Sequence, residues 1–422
     1  MAQLKDDCFA FGGTLTSVSD ALTDLESRLS TVCDSEEVSI HDALGRVLAE
    51  DIKSPRNVPP HDNSAVDGYA VYFSDLDPEN DTRLPVTGRI AAGHPLGRDA
   101  KKGDALRIFT GAPVPNGDEA GPDTIFMEED CQEEDGFVIL PPGLRQGSNR
   151  RHLGEDVKVD QVIIRIGSMM RAQEVGLAAS VGRATVQVYK RLRVAVFSTG
   201  DEVRDPSSEA PEGCIFDANR FAIMGLLQGL GCAVTDIGIL PDDEETIAGA
   251  MADAAPGHDM LITSGGISAG EEDHVKPAVE RHGSLNFWRF AIKPGRPIAL
   301  GQVGSTAFVG LPGNPVAAMV TFMVIARPMV KILSGNRDVT PALYQVTSGF
   351  PYEKKKGRRE WVRARLERGA NGALTAMKYP EGGSGILMSM VASDGLVQLD
   401  EDVETISAGD VISFLPFSEV IQ

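Results

Sequence analysis

The chain has 422 residues, which exceeds the roughly 100–200 residues of one domain and predicts several domains, each with its own core. Its 40 basic and 61 acidic residues give a net charge of −21. That charge argues against a protein that binds nucleic acid or anionic membranes, because both need a basic surface.

The chain also carries no pattern typical of a membrane or exported protein. Its longest apolar run, 315–326, is shorter than the roughly 20 residues that cross a bilayer. The first residues include acids where a signal peptide has basic and then apolar residues. We therefore expect a cytoplasmic protein.

The first 190 residues alternate between two patterns. Residues 15–53 place leucines at helical spacing and continue with a second apolar series over 40–48, so a helical segment is expected. From 55 to 154, short β-type runs lie among many glycines and prolines, which predicts a small β-rich domain. Residues 155–190 return to the first pattern, with a helix at 172–181. The β-rich segment is therefore expected as an insertion into one extended domain.

The rest of the chain predicts an α/β domain followed by a β domain. Residues 192–334 alternate strand and helix patterns, which is typical of a mostly parallel sheet covered by helices on both faces. Short β runs return from about residue 340, so a small β-barrel-like domain is expected there. The predicted fold is multidomain, α/β plus β. The predicted domains are 1–54 with 155–190, 55–154, 191–337 and 338–422.

Three predicted strands of the α/β domain run directly into loops rich in glycine or proline. Ligands of open α/β sheets bind beyond the carboxyl ends of the strands, so these loops should converge on one crevice. Glycines let the backbone approach a ligand, and free N–H groups at a helix start favour phosphate or another oxyanion. Each loop alone is equally consistent with an ordinary turn, but three together favour a phosphate-bearing ligand. The candidate substrate-binding residues in these loops are Ser198, Gly200, Gly265, Gly266, Ser268, Pro312, Gly313, Asn314 and Pro315.

One of these loops also predicts the start of a helix. Asn314 and Pro315 suit such a start, with Asn314 as the N-cap and Pro315 at the first helical position.

Charged residues gather near the same loops. Carboxylate oxygens beside a phosphate site are how proteins hold Mg²⁺, although solvated acids are a simple alternative in an acidic chain. Asp273 is the best single candidate, because it follows Gly265 and Gly266 closely. Arg289, Lys293 and Arg296 lie on a turn braced by proline and glycine, which suits an anionic ligand. The acidic candidates are Asp201, Glu202, Asp242, Asp243, Glu271, Glu272 and Asp273.

Seven motifs occur in the order found in one enzyme family. They are Asp62-Asn63-Ser64-Ala65-Val66-Asp67-Gly68-Tyr69-Ala70, Thr110-Gly111-Ala112-Pro113-Val114-Pro115, Gly154-Glu155-Asp156, Ser198-Thr199-Gly200-Asp201-Glu202, Gly265-Gly266-Ile267-Ser268 with Asp273, Ile292-Lys293-Pro294-Gly295 and Pro312-Gly313-Asn314-Pro315. From about residue 15 to its end, the chain resembles the molybdopterin molybdenumtransferases, which are homologous to the E domain of gephyrin.

The resemblance implies a reaction and its participants. It implies insertion of molybdate into adenylylated molybdopterin with release of AMP, assisted by Mg²⁺ or Zn²⁺, as a step of molybdenum cofactor biosynthesis. It also implies four domains, an elongated homodimer and contacts with other proteins of cofactor biosynthesis or with apo-molybdoenzymes. It further implies that the active site is shared between subunits.

The resemblance assigns roles by position. The catalytic candidates are Asp67, Thr110, Glu202, Asp242, Asp273 and Lys293. The metal candidates are Glu202, Asp242 and Asp273, and Arg151 and Arg289 join the substrate-binding candidates.

Two other functions remain open from the sequence. One is a gephyrin-like scaffold, and the other is a nucleotide-hydrolysing enzyme that shares only the α/β domain. The motifs around Asp67 and Thr110 lie outside that domain and argue against the second alternative.

Overall fold

The structure is a computed structural model that describes residues 17–267, 274–295, 297–369 and 372–421, and for residues 286–289 it describes the backbone alone. It is built around three six-stranded sheets. The predicted fold class is confirmed, whereas the exact domain boundaries stay predictions.

The extended domain is assembled from both sides of the insertion. Helix Val18–Arg28 begins after Ser17, whose hydroxyl accepts a hydrogen bond from the Asp20 N–H at 3.1 Å. Strand Ser35–Ser39 pairs antiparallel with Thr185–Tyr189, about 150 residues later. The predicted second helix, Ala172–Ser180, is also present.

The helical expectation for residues 40–48 is wrong. Ile40–Asp42 forms a single 3₁₀ turn, and Gly45 has φ +72, a left-handed conformation that cannot continue an α-helix. Ala43 and Leu48 are buried in the core of the extended domain. The apolar spacing therefore reflects burial of an irregular segment and not a helix.

The chain enters and leaves the insertion along neighbouring strands. Ile52–Lys53 pairs antiparallel with Val162–Ile164, and Val58 pairs with Val157 closer to the insertion. The insertion contains the predicted β-rich fold, a six-stranded sheet. Its strand order is Thr124–Met127, Gly68–Val71, Ala105–Ile108, Thr82–Ile90, Phe137–Leu140 and Gln132–Glu134.

The first four strands of the α/β sheet pair in parallel, as predicted, and the last two strands are joined to them by antiparallel pairings. Alternate residues of one strand enter separate cores, since Val194 and Val196 face one helical layer and Ala195 and Phe197 face the other. The strand order is Ala233–Leu240, Arg193–Thr199, Met260–Ser264, Thr306–Leu311, Pro297–Val303 and Gly283–Arg289. The helices of this domain include Asn219–Gly229, Glu244–Ala254 and Val275–Glu280.

A long apolar helical stretch packs against this sheet. It consists of helix Pro315–Thr321, a π-helical turn Phe322–Ala326 and helix Arg327–Leu333. Among the described residues, Pro315–Leu333 is the one stretch long and apolar enough to cross a membrane, and 83% of its most apolar part is buried inside the protein. That burial is typical of a core helix.

The C-terminal domain is the predicted β-barrel. Its sheet closes because Arg359–Arg368 pairs with both Leu374–Lys378 and Gly395–Leu399. The first strand, Ile292–Lys293, comes from the α/β domain and pairs parallel with Arg359 and Glu360. The strand order is Ile292–Lys293, Arg359–Arg368, Leu374–Lys378, Tyr344–Ser348, Val411–Pro416 and Gly395–Leu399. Short elements elsewhere are Asn63–Ser64 with Arg150–Arg151, Val203–Arg204 with Ile215–Phe216, Tyr352–Glu353 with Thr405–Ile406, and helix Met388–Val391.

Candidate functional site

The three glycine- and proline-rich loops converge, as the sequence predicts. Ser198 is the register partner of Ser264, and Ser264 is the partner of Leu311, so three parallel strands end side by side. The Asn219 side-chain amide donates to Ser264 Oγ and to the Gly313 carbonyl, both at 2.7 Å. Asn219 was not predicted as a site residue, yet it links two of the loops.

Glycine is required at the tightest point of this crevice. Gly265 and Gly266 have φ values of +94 and +61, which L side chains rarely adopt. A Cβ at Gly266 would also lie 2.6 Å from Thr199 Oγ1 and 2.6 Å from Val275 Cγ2. The loop therefore packs its backbone directly against the neighbouring strand end.

These loops line a cavity of about 420 Å³, which we call the loop cavity. Glu202 and glycines of three loops are among the residues that line it. Among the predicted substrate-binding residues, it is lined by Gly265, Gly266, Pro312, Gly313 and Asn314. Ser198 is buried at its strand end, and its hydroxyl has no hydrogen-bond partner within the described chain.

The predicted helix start at Asn314 is correct in position, with Pro315 in the first helical turn. The expected side-chain cap is wrong, because within the described residues the Asn314 side chain makes no capping bond. The Val316 N–H instead donates to the Ser384 carbonyl at 2.9 Å. The C-terminal domain thus supplies the cap, and Ser384 lines the loop cavity.

A second cavity of about 420 Å³ adjoins the first, and Gly295 and Ser384 line both. We call it the cationic cavity because its wall carries four basic side chains, with two glutamates among the same residues. The basic side chains are Lys293, Arg358, Arg363 and Lys378, and the glutamates are Glu360 and Glu381. Arg363 is almost completely buried, and that burial lowers the pKa of its guanidinium.

One buried carboxylate organises this cavity. Glu360 is 1% exposed and lies 3.3 Å from Lys293 Nζ. It also accepts hydrogen bonds from Arg358 Nε at 2.6 Å and from the Tyr352 hydroxyl at 2.9 Å. Burial, followed by the bond to Glu360, raises the pKa of Tyr352 to about 12. Lys293, a predicted catalytic residue, is therefore held by a residue that the sequence did not single out.

Three of the predicted acidic residues also lie together. The Asp201 N–H donates to Asp242 at 3.0 Å, and the Asp242 N–H donates back to Asp201 at 3.2 Å. Burial raises the pKa of Asp242, and the charges of Asp201 and Glu202 raise it further. In the described parts of the chain, no three carboxylate, histidine or cysteine groups are placed to hold a metal ion.

The predicted catalytic residues of the insertion domain, Asp67 and Thr110, are bonded to each other. Asp67 accepts hydrogen bonds from the Thr110 N–H and from its hydroxyl, both at 2.7 Å. These two bonds lower the pKa of the Asp67 carboxyl. Arg151 pairs with Asn63 on a strand leading to the same loop. The bonds found for Asp67 and Thr110 in the described chain stay within the insertion.

Some predicted residues lie outside what the structure describes. Ser268 and Asp273 lie between the described residues 267 and 274, and so do Glu271 and Glu272. Arg296 and the side chain of Arg289 are likewise outside the described part.

The fold and the site define a multidomain protein built around an α/β domain whose strand ends carry a loop-lined crevice. The family model described as "MoeA N-terminal region (domain I and II)" matches residues 16–182. The model "Probable molybdopterin binding domain" matches 195–332, and "MoeA C-terminal region (domain IV)" matches 345–417. Matches on both sides of the α/β domain contradict the alternative that this domain alone is shared.

Relatives of known name extend over nearly the whole chain. "Molybdopterin molybdenumtransferase" of Haemophilus influenzae is 37% identical over 92% of this chain and 95% of its own length. "Molybdopterin molybdenumtransferase 2" of Mycobacterium tuberculosis is 32% identical over 91% and 95%. A crystal structure of the molybdopterin biosynthesis moeA protein from Pyrococcus horikoshii is 27% identical, with a TM-score of 0.81, and the match covers 96% of this chain and all of that one. The chain belongs to the molybdopterin molybdenumtransferase family. This membership favours a transferase function over the scaffold function.

We expect Gly266→Ala to destabilise the α/β domain. The alanine would have to adopt a left-handed backbone and would clash with Thr199 and Val275, so a loss of about 1–3 kcal/mol is expected. Thermal unfolding followed by circular dichroism measures the effect. Gly313→Ala is the matched control, since a Cβ there lies an ordinary 3.7 Å from the Gly265 Cα. Equal melting temperatures for the two variants would contradict the steric argument.

We expect Glu360→Gln to loosen the contact between the barrel and the α/β domain. The change leaves the partly buried Arg358 and the half-exposed Lys293 without a counter-charge, and losing a hydrogen bond to a charged group costs about 1.5–3 kcal/mol. Urea unfolding of the whole chain measures the loss. Glu353→Gln, an exposed change in the same barrel, should leave the curve unchanged. A Glu360→Gln curve that overlies the control would show that the buried charge contributes little.

Proposed function

We propose that this chain inserts molybdate into adenylylated molybdopterin and releases AMP. The observation that carries the proposal is the pair of adjoining cavities, which meet at Gly295 and Ser384. One is bounded by glycine loops and a helix start, which suit a phosphate group. The other carries four basic side chains, which suit a second oxyanion.

The charges of the substrates explain why such a site is needed. A pyrophosphate ester and molybdate are both anions, so they repel each other in water. Lys293, Arg358, Arg363 and Lys378 offset this charge in a chain that is otherwise acidic. The lowered pKa of the Arg363 guanidinium supports this role, since it indicates a buried positive charge that an anion would compensate.

A divalent cation is part of the proposal. Asp242 and Glu202, together with Asp273, would hold Mg²⁺ or Zn²⁺, because hard carboxylate oxygens suit such ions. The raised pKa of Asp242 supports this, since burial and then the charges of Asp201 and Glu202 disfavour its ionised form, and a bound cation would offset both effects. When bound, the ion would neutralise the pyrophosphate and favour its cleavage.

Asp67 is proposed to act at the other end of the substrate. Its carboxylate is ionised, because two hydrogen bonds from Thr110 lower its pKa, and an anion does not suit a phosphate contact. We place it at the dithiolene and molybdate end, where it positions the sulfur groups or accepts a proton.

The remaining parts of the proposal concern the assembly. The enzyme would work in the cytoplasm as a homodimer, and it would meet other cofactor biosynthesis proteins and apo-molybdoenzymes. The dimer is supported by the linings of the two cavities, because among the described residues none comes from the insertion, and a partner's insertion could complete the crevice of this chain.

We expect Asp242→Asn to lower molybdate-dependent release of AMP about 100-fold, the order of loss when one electrostatic contact to a transition state is removed. The assay measures AMP formed from adenylylated molybdopterin with and without molybdate. Asp243→Asn is the matched control, because Asp243 caps helix Glu244–Ala254 through Thr246, and asparagine can do the same. If the wild type released AMP at the same rate with and without molybdate, the proposed reaction would be overturned.

The same variant has a stability readout that does not depend on turnover. A carboxyl whose pKa is raised by folding destabilises the fold above that pKa, and not below about 3.9, where the unfolded chain is also protonated. Without metal, Asp242→Asn should therefore melt higher than wild type at pH 7 and equally near pH 3. Added Mg²⁺ should raise the melting temperature of the wild type more than that of the variant.

We expect inactive Asp67→Asn chains and inactive Asp242→Asn chains to restore activity when their subunits exchange. If each site combines an insertion from one chain with the crevice of the other, every mixed dimer has one intact site. With half the dimers mixed, roughly a quarter of all sites should recover. AMP release after subunit exchange measures the recovery.

A matched mixture tests the geometry of that result. Asp242→Asn with Lys293→Met should stay inactive, because both residues belong to the crevice of one chain. Failure of the first mixture to recover, with exchange verified by mass spectrometry, would place the whole site within single chains.

A further inference from the structure

A buried arginine adjoins the residue that links two loops of the crevice. Arg220 is 3% exposed and lies in the first turn of helix Asn219–Gly229. Its neighbour Asn219 bonds the loops at Ser264 and Gly313 to each other. Arg220 lines neither the loop cavity nor the cationic cavity, so it acts on the site only through the residues that it bonds.

The guanidinium of Arg220 donates hydrogen bonds to three aspartates on three segments of the chain. Nε donates to Asp217 at 3.0 Å, Nη1 to Asp236 at 2.5 Å and Nη2 to Asp205 at 2.7 Å. Burial alone would lower the pKa of Arg220, but the bonds to the three carboxylates outweigh burial and raise that pKa. The planar fork of donors therefore fixes three segments relative to one another.

Two of these aspartates lie at the ends of a short pair of strands. Val203–Arg204 pairs parallel with Ile215–Phe216. Asp205 directly follows the first strand, and Asp217 directly follows the second. Since one guanidinium bonds to both aspartates, Arg220 holds both ends of the strand pair.

The same strand pair is attached to the acidic candidates of the crevice. The Ile215 N–H donates to the Glu202 carbonyl at 2.8 Å, and the Arg204 side chain donates to the Asp201 carbonyl at 2.8 Å. We call residues 201–217 the acidic segment. The carboxylates that begin this segment are thus connected to the buried guanidinium through the strand pair.

The third aspartate belongs to the edge strand of the α/β sheet. Asp236 lies in Ala233–Leu240, and Asp242 is the second residue after the end of that strand. Asp201 and Asp242 exchange hydrogen bonds from their N–H groups, but their negative charges repel each other. Arg220 bonds to both segments and supplies a positive charge that holds them together.

We propose that Arg220 is a positioning residue that fixes the acidic segment against the edge strand. It thereby sets the arrangement of Asp201, Glu202 and Asp242. The consequence for catalysis rests on the function proposed for this chain. With Asn219, Arg220 makes the first turn of one helix the place where the loops of the crevice are joined.

Two matched variants separate positioning from overall stability. Asp205→Asn removes one ion pair of Arg220 and is expected to fold, because the Asp205 side chain is 43% exposed. Asp259→Asn is the control, since it removes an ion pair of 2.8 Å with Arg193. Arg193 begins its strand and Asp259 precedes the neighbouring strand, at the end of the sheet opposite the crevice. The Asp259 side chain is only 15% exposed, so the control should lower overall stability at least as much.

Hydrogen exchange measured by mass spectrometry tests the position of the acidic segment. In Asp205→Asn, peptides that contain the amides of Asp201 or Asp242 should exchange about tenfold faster than in the wild type, the effect of losing one hydrogen bond to a charged group. Peptides that contain Gly265 should not change. Asp259→Asn should leave both sets of peptides unchanged. Equal acceleration across the whole domain, or none at Asp201 and Asp242, would overturn the proposal.

The rate of AMP release shows whether this position serves the reaction. Asp205→Asn should lower kcat on the order of 100-fold, the loss that a displacement of about 1 Å causes in an active site. Asp205→Glu keeps a carboxylate for Arg220 and should recover most of the rate. Arg220→Lys should resemble Asp205→Asn, because lysine keeps the charge but not the fork of donors. Asp259→Asn should leave the rate unchanged.

The two measurements fail in different ways. Faster exchange in Asp205→Asn with an unchanged rate would make Arg220 a purely structural brace and overturn its positioning role. A wild type without molybdate-dependent AMP release would contradict the proposed function instead. In that case the exchange of the Asp201 and Asp242 peptides would still decide whether Arg220 holds the acidic segment in place.

Discussion

The contact between Glu360 and Lys293 determines how the barrel and the α/β sheet share one site. Lys293 ends a short strand that leaves the α/β domain and pairs with strand Arg359–Arg368 of the barrel. The same two domains meet again where the Ser384 carbonyl caps the helix that follows Gly313 and Asn314. Because both contacts border the two cavities, the barrel forms one wall of the site. An acidic chain thereby presents a local positive field without a basic surface.

Most of the architecture could be predicted because its signals are local. The alternation of strand and helix between 192 and 334 indicated the mostly parallel sheet, and the parallel order brings Ser198, Ser264 and Leu311 together. The glycines at 265 and 266 occupy positive φ, where a side chain would be strained, so their role could be inferred from residue type alone. The Asp67 and Thr110 motifs, read through the family resemblance, also form a bonded pair.

The failures have one physical cause, which is that contacts distant in sequence override local pattern. The apolar spacing over 40–48 resembled a helix, but the left-handed Gly45 and the bridge between Leu48 and Val188 make the segment irregular. Asn314 had the chemistry of a helix cap, yet a carbonyl 70 residues later took that role. Glu360 had no motif to mark it, because its importance comes from burial beside cations of two domains. Such residues become visible only in three dimensions.

The antiparallel pairing of Ile52–Lys53 with Val162–Ile164 has a consequence for the history of the molecule. Since the two ends of the insertion lie on adjacent strands, a tight turn of a few residues could replace about a hundred residues without displacing the extended domain. The β-rich insertion can therefore be gained, lost or exchanged as one unit while the remaining domains keep their cores. Evolution could thus change the part of the proposed site that carries Asp67 without redesigning the crevice beside Asp242.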